Sequence, residues 1–276
     1  RSERTKALNE SGLEMDCKAF HETIAVKASA DLSVLSDADL VLLSVKSLDT
    51  ERTLAQIKCI LPSKAVILSL QNGVANIEVA SKVVANPIYA AVVYVAAGMI
   101  GQRTMKHHGR GELLIGNPSQ ANDRDDQYLQ GICALFEGAG VPCTIAPQIK
   151  RDMWLKFLVN CSFNAISGIG QISYGEMVKS PGIVKLIEQM TREFLAIAAF
   201  ENVNITLAEA LAANESIATT MVTQISSTAQ DLSKGKMTEI DFLNGYIVDL
   251  GKRYGIATPY NESVHALVKM LESQIK

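Results

Sequence analysis

Apolar and polar positions divide this chain into two stretches of different rhythm. In the first, short apolar runs alternate with helical periods. The run from Asp39 to Val45 is nearly all Leu and Val, as in a strand buried on both faces. A helix is expected over 49–61, stopped by Pro62, and then a second buried strand over 65–70. A helix over 76–84, a strand over 88–95 after Pro87, a helix over 125–139 and a strand over 143–146 continue the alternation. Short strands are also expected over 15–17 and 23–28, behind a helix over 2–9. Thr104 to His108 and Glu112 to Ile115 suggest an added hairpin. Strand and helix in turn, with short links, predict a parallel α/β sheet.

After Pro147 the rhythm changes and only helical periods remain. A helix is expected over 149–166, then a break rich in glycine. Ser180-Pro181 starts another, with Ser as N-cap and Pro at the first helical position. Thr206-x-x-Glu209 is a capping box, and Thr238-x-x-Asp241 a weaker relative of it. Gly255 closes a further helix and 260–275 forms the last. We therefore expect a dinucleotide-binding domain over 1–147 and an all-helical domain over 148–276.

Composition narrows the function. The 276 residues carry a net charge of -3 and few aromatics, which argues against a nucleic-acid partner. Five scattered cysteines, with no Cys-x-x-Cys pair, point to reduced thiols in a cytoplasmic protein and away from a zinc site. The longest apolar run, 88–97, is too short to span a bilayer. His107 and His108 are adjacent and would point to opposite faces of a strand, so no metal is expected.

The candidate chemistry lies in Trp154-Leu155-Lys156-Phe157-Leu158-Val159-Asn160-Cys161-Ser162-Phe163-Asn164. As a helix this sets Lys156, Asn160 and Asn164 four residues apart on one face, among apolar neighbours. A polar stripe facing solvent, or a satisfied core network, is the bland explanation. A lysine and two amides in an apolar setting also suit a small-molecule site, with Lys156 as proton donor. Lys46 follows one expected strand and Asn72-Gly73 another, where dinucleotide ligands of open α/β sheets sit. A solvated loop lysine and an ordinary Asn-Gly turn are their plain alternatives. No Gly-x-Gly-x-x-Gly loop occurs in the chain. We expect the strand–loop–helix opening, on the order of 30 residues, to be missing before Arg1. Arg1 would then lie near the adenosine ribose and favour NADP over NAD, unless it is simply part of a charged helix start.

These pieces together resemble the ketopantoate reductase (2-dehydropantoate 2-reductase) family. They include Arg1-Ser2, Val45-Lys46, Gln71-Asn72-Gly73 and His108-Gly109-Arg110-Gly111 with Ile115-Gly116. They continue through Trp154-Leu155-Lys156 with Asn160 and Asn164, Ser226-Ser227, Thr238-Glu239-Ile240-Asp241 and Gly255-Ile256-x-Thr258-Pro259. The likeness keeps its order along essentially the whole chain. It implies a Rossmann-type domain followed by a helical one, and NADPH-dependent reduction of a 2-oxo acid in pantothenate biosynthesis. It also implies Lys156 as general acid, Asn160 and Asn164 lining the substrate site, Ser227 on the substrate carboxylate and Glu239 on its hydroxyl. Asn72 would sit near the nicotinamide, and Arg1 and Lys46 on the 2′-phosphate of NADP(H). Two features depart from the family: the Gly-rich loop is absent, and Ala75 stands where glycine is frequent.

Taken alone, Glu239 reads as an acid in a helix's first turn and Ser227 as a helix-surface serine. A reductase of another 2-oxo acid, a β-hydroxyacid-dehydrogenase-like enzyme and a non-catalytic NADP-binding module are the rivals. A homodimer is left open.

Overall fold

The computed structural model describes residues 2–119 and 126–275, the side chains of Ser2 and His108 excepted. Contacts group the chain into two units. The first comprises 1–45, 49–71 and 77–149; the second comprises 46–48, 72–76 and 150–276.

The first unit opens with helix α1 (Ser2–Ser11), then strands β1 (Leu13–Asp16), β2 (His21–Ile24) and β3 (Leu40–Leu43). Helix α2 (Thr50–Ile57), strand β4 (Val66–Ser69) and helix α3 (Ala75–Val83) follow. Strands β5 (Ile88–Ile100) and β6 (Thr104–Gly116), helix α4 (Gln127–Gly138) and strand β7 (Cys143–Ile145) complete the series. The sheet runs β2-β1-β6-β5-β4-β3, and β7 pairs with β6. β3, β4 and β5 are parallel, in register from Leu40 opposite Val66 and Ile67 opposite Ile88. β6 lies antiparallel to β5. Along its other edge it takes β1 near Thr104–Lys106 and β7 near Leu113–Ile115, both parallel. The sheet is mixed, where sequence periodicity predicted a parallel one.

Two strand expectations change. All four residues of β4 are buried, as a central strand requires. β3, expected to be buried on both faces, is last in the strand path among the described residues, where Leu43 is 3% and Leu42 44% exposed. The hairpin expected within 104–115 is instead one strand, β6, paired along most of β5. Gly109, Arg110 and Gly111 do have positive φ, at 144°, 58° and 153°. They accompany register shifts between Tyr94 and Val95 and between Ala96 and Ala97, so they form an irregularity within β6, not a turn. Two clusters bury the two sheet faces: Leu68, Tyr89, Ile115 and Leu129 on one, Leu43, Leu54, Ile67 and Ala80 on the other.

The second unit is helical. It contains α5 (Ile149–Gly170), whose residues from Lys150 on belong to it, α6 (Tyr174–Met177), α7 (Pro181–Phe200) and α8 (Leu207–Thr220). Then come α9 (Ser227–Ser233), α10 (Asn244–Tyr254) and α11 (Pro259–Glu272). Local signals placed the ends well. Ser180 is the N-cap of α7 with Pro181 following, and the Thr206–Glu209 capping box forms in full. Gly255, at φ 69°, closes α10. The Thr238–Asp241 box does not form: the Thr238 hydroxyl accepts from the Ile240 N–H, and a 3-10 turn (Ile240–Phe242) follows. α5 runs past the expected stop at 166. Gly168 is no break; a Cβ there would lie 2.7 Å from Thr228 Cγ2, so the missing side chain lets α9 approach closely.

Candidate active site

The helix α5 is fixed by its apolar face. Trp154, Phe157, Leu158 and Cys161 follow the i, i+3, i+4, i+7 pattern and are all buried with Phe194, Ile197 and Leu243. Trp154 and Phe157 meet Phe194 edge-on, with ring centroids at 5.5 and 5.2 Å. This burial turns the neighbouring stripe elsewhere. Lys156 and Asn160 are partly exposed, and Asn164, one turn on, is 4% exposed.

Asn164 holds that end of the stripe to two other elements. Its Oδ1 accepts from the Tyr174 hydroxyl at 3.2 Å, and its carbonyl accepts from Ser226 Oγ at 3.1 Å. Ser226 is the N-cap of α9, and its Oγ also accepts from the Ala229 N–H at 3.0 Å. Its own N–H donates to Ser167 Oγ at 3.2 Å. Ser227, the residue expected to touch substrate, is exposed in the first turn of α9. Ser226 therefore fixes Ser227 beside the Asn164 end of the stripe. Burial pushes the Tyr174 phenol up to about 12.

A second cluster gathers the strand-end residues. Lys46 donates from Nζ to Asp231 Oδ2 at 2.8 Å and to the Met237 carbonyl at 3.0 Å. The Ser47 N–H donates to Glu239 Oε1 at 2.8 Å. Asn76 Nδ2 donates to Ser47 Oγ at 3.0 Å and to the Asn72 carbonyl at 2.8 Å. Gly73 has φ 82°, and a Cβ there would lie 3.3 Å from the Phe242 carbonyl, so the Asn-Gly turn is also a close approach within the second unit. Gln71, in the first unit, ties the strand ends together by donating to the Val45 carbonyl and to Thr50 Oγ1.

Seven predicted site residues, Lys46, Asn72, Lys156, Asn160, Asn164, Ser227 and Glu239, fall in the second unit. Arg1 lies outside the described residues. Glu239 is not in a helix's first turn as its plain alternative had it; it precedes the 3-10 turn and holds the Ser47 amide. Lys46 is not a loosely solvated loop lysine but is paired. Asp231, Ser226 and Tyr174 were not predicted to hold these residues. A serine before an α9-like period could have marked the Ser226 cap. Nothing local marks Asp231, which lies 185 residues from its partner Lys46.

Beyond Glu239, Asp241 Oδ1 pairs with His265 Nε2 at 2.7 Å and its Oδ2 with Lys269 Nζ at 2.8 Å. Burial alone would raise the Asp241 carboxyl. The hydrogen bonds from Lys269 and His265 outweigh it and hold the group below the usual carboxylate range. Among the described residues no group of three or more His, Cys, Asp and Glu is arranged to hold a metal, and no helix is long and apolar enough to cross a membrane. As a donor set, the Lys46 ammonium and the Asn72 amide suit a phosphorylated dinucleotide. Each follows the carboxyl end of a parallel strand, β3 or β4.

Comparison with known proteins adds independent findings. The family model for ketopantoate reductase PanE/ApbA matches residues 1–120, and that for its C-terminal part matches 148–272. A 2-dehydropantoate 2-reductase from Halobacterium salinarum is 31% identical over 248 residues, covering 88% of this chain and 79% of that protein. The crystal structure of a PanE/ApbA family ketopantoate reductase from Ralstonia eutropha JMP134 is 39% identical, with a TM-score of 0.92, covering 99% of this chain and 89% of that one. The ternary structure of D-mandelate dehydrogenase with NADH and anilino(oxo)acetate is 26% identical, with a TM-score of 0.91, covering 100% and 89%.

Proposed function

Because the chain belongs to the ketopantoate reductase PanE/ApbA family, we propose that it reduces 2-dehydropantoate to pantoate with NADPH. The observation that carries this reading is the α5 stripe: Lys156 and Asn160 partly exposed, with Asn164 fixed through Ser226 to the start of α9. That arrangement puts a cation, two amides and the Ser227 hydroxyl on adjoining elements, the set a small 2-oxo acid calls for. Lys46 and Asn72, with Arg1, are the residues that would hold NADP(H). When bound, this cofactor supplies the hydride.

In this mechanism Lys156 acts on the carbonyl oxygen. Its ammonium stabilises negative charge as it develops there and then gives up a proton, so the ketone becomes a hydroxyl. Asn160 and Asn164 orient the oxo acid, Ser227 donates to its carboxylate, and Glu239 accepts from its hydroxyl. A rigid, buried helix suits the task, since small displacements of a proton donor are costly in rate. A cytoplasmic location and a homodimer belong to the same reading.

The test is NADPH oxidation by the full chain with 2-dehydropantoate. Lys156→Ala is expected to lower kcat by about 100- to 10,000-fold, the range of a general acid, with cofactor affinity unchanged. Near-normal turnover would remove Lys156 from the chemistry. The similarity to D-mandelate dehydrogenase favours one second reading, a reductase of a different 2-oxo acid, with NADH as an acceptable donor. Comparing kcat/KM across 2-oxo acids, with each cofactor, separates the two.

A further inference from the structure

The segment that carries Glu239 is held from one side by helix α11. His265, Lys269 and Glu272 stand at i, i+4 and i+7, a spacing that puts them on one face of that helix. Each grips a residue flanking Glu239. Glu272 Oε1 accepts both from the Thr238 N–H at 2.8 Å and from the Thr238 hydroxyl at 2.6 Å. That hydroxyl in turn accepts from the Ile240 N–H at 3.1 Å. On the far side, Asp241 receives His265 and Lys269. Lys269 also pairs with Glu272 Oε2 at 2.6 Å, which closes the set.

Burial makes this more than surface ion pairing. Glu272 is 4% exposed and Thr238 3%, and among the described residues Glu272 is the one charged side chain that is buried. A buried carboxylate is costly unless it is met, and here both Thr238 donors fill Oε1 while Oε2 has no hydrogen-bond partner and meets the Lys269 ammonium by charge alone. A helix surface alone needs no buried acid at that position. The arrangement is asymmetric around Glu239: residues 238 and 241 are fixed to α11, while the Glu239 carboxylate points away, to the Ser47 amide.

We propose that His265, Lys269 and Glu272 are positioning residues that set the Glu239 carboxylate for the 2-oxo acid. They touch neither substrate nor cofactor; they hold the Thr238 backbone on one side of the residue that does and the Asp241 side chain on the other. The inference rests on the reading of Glu239 as a substrate ligand.

The experiment compares Glu272→Ala, Glu272→Gln, Glu239→Ala and the Glu272→Ala/Glu239→Ala double variant in the full chain. Readouts are kcat and KM for 2-dehydropantoate, and NADPH affinity by fluorescence. Glu272→Ala is expected to lower kcat/KM by about 10- to 100-fold, mostly through KM, as a displaced ligand does. NADPH affinity should stay within about twofold. Glu272→Gln keeps an oxygen for both Thr238 donors and should recover most of the loss. In the Glu239→Ala background the Glu272→Ala effect should vanish, because there is nothing left to position. Equal effects in both backgrounds, or an unchanged KM in Glu272→Ala beside a raised one in Glu239→Ala, would overturn the positioning role alone. An unchanged KM in Glu239→Ala would overturn the substrate reading of Glu239 and the inference with it. Thr238→Val, which removes only the hydroxyl, should shift KM in the same direction and carries the test if Glu272→Ala does not fold.

Discussion

Replacing Ser226 by Ala is expected to destabilise the helical unit by about 2–3 kcal/mol. The side chain is 1% exposed and makes two hydrogen bonds through one oxygen. Loss of a Ser N-cap costs about 1 kcal/mol, up to about 2. Loss of the bond to the Asn164 carbonyl costs about 1 kcal/mol more. Two details set the total. Ala229 is 0% exposed, and its N–H lies in the first turn of α9, where no helical carbonyl can take it. The orphaned donor therefore pushes the cost upward. The Ser226 N–H keeps its bond to Ser167 Oγ, which bounds the damage. The assay is urea unfolding followed by tryptophan emission. Trp154 is the single tryptophan and is buried in α5, so its signal reports this unit. With m near 2 kcal/mol/M, the midpoint should fall by about 1–1.5 M at unchanged m. A fall under about 0.2 M would mean that the cap and the tie to Asn164 contribute little, and the reasoning would fail.

Two further outcomes follow from particular residues. The Tyr174 phenol, pushed up to about 12 in the folded protein, titrates near 10 when unfolded. Its contribution to stability is complete below pH of about 10 and is lost as pH rises through about 12, so stability should fall across that window. Tyr174→Phe should flatten the fall, and equal pH slopes in the two proteins would count against the burial account. Gly73→Ala places a Cβ at φ 82° and 3.3 Å from the Phe242 carbonyl. It should cost about 1–2 kcal/mol, seen as a Tm lower by several degrees, and an unchanged Tm would refute the strain.

The helical half was the more legible part, and residues show why. A capping box such as Thr206–Glu209 closes within four residues, and Gly255 ends α10 through its own backbone. Such signals carry their partners with them. The β-rich half was read less well, because a strand's neighbour is set elsewhere in the chain. Gly109-Arg110-Gly111 demands positive φ whether it makes a turn or a bulge, and only the pairing with β5 decides. The same division runs through the site. The four-residue spacing of Lys156, Asn160 and Asn164 is a property of the helix itself.

The sequence by itself determined which segments are helical, where several of them start and stop, and that a lysine and two amides share a stripe on α5. Those features rest on interactions a few residues apart. Only the tertiary structure decided that Lys46 is paired with Asp231, that Ser226 joins α9 to Asn164, and that Glu272 holds Thr238. These contacts span 185, 62 and 34 residues. A pair so separated carries no local pattern; it forms because packing distant segments of the chain brings the polar groups within hydrogen-bond reach.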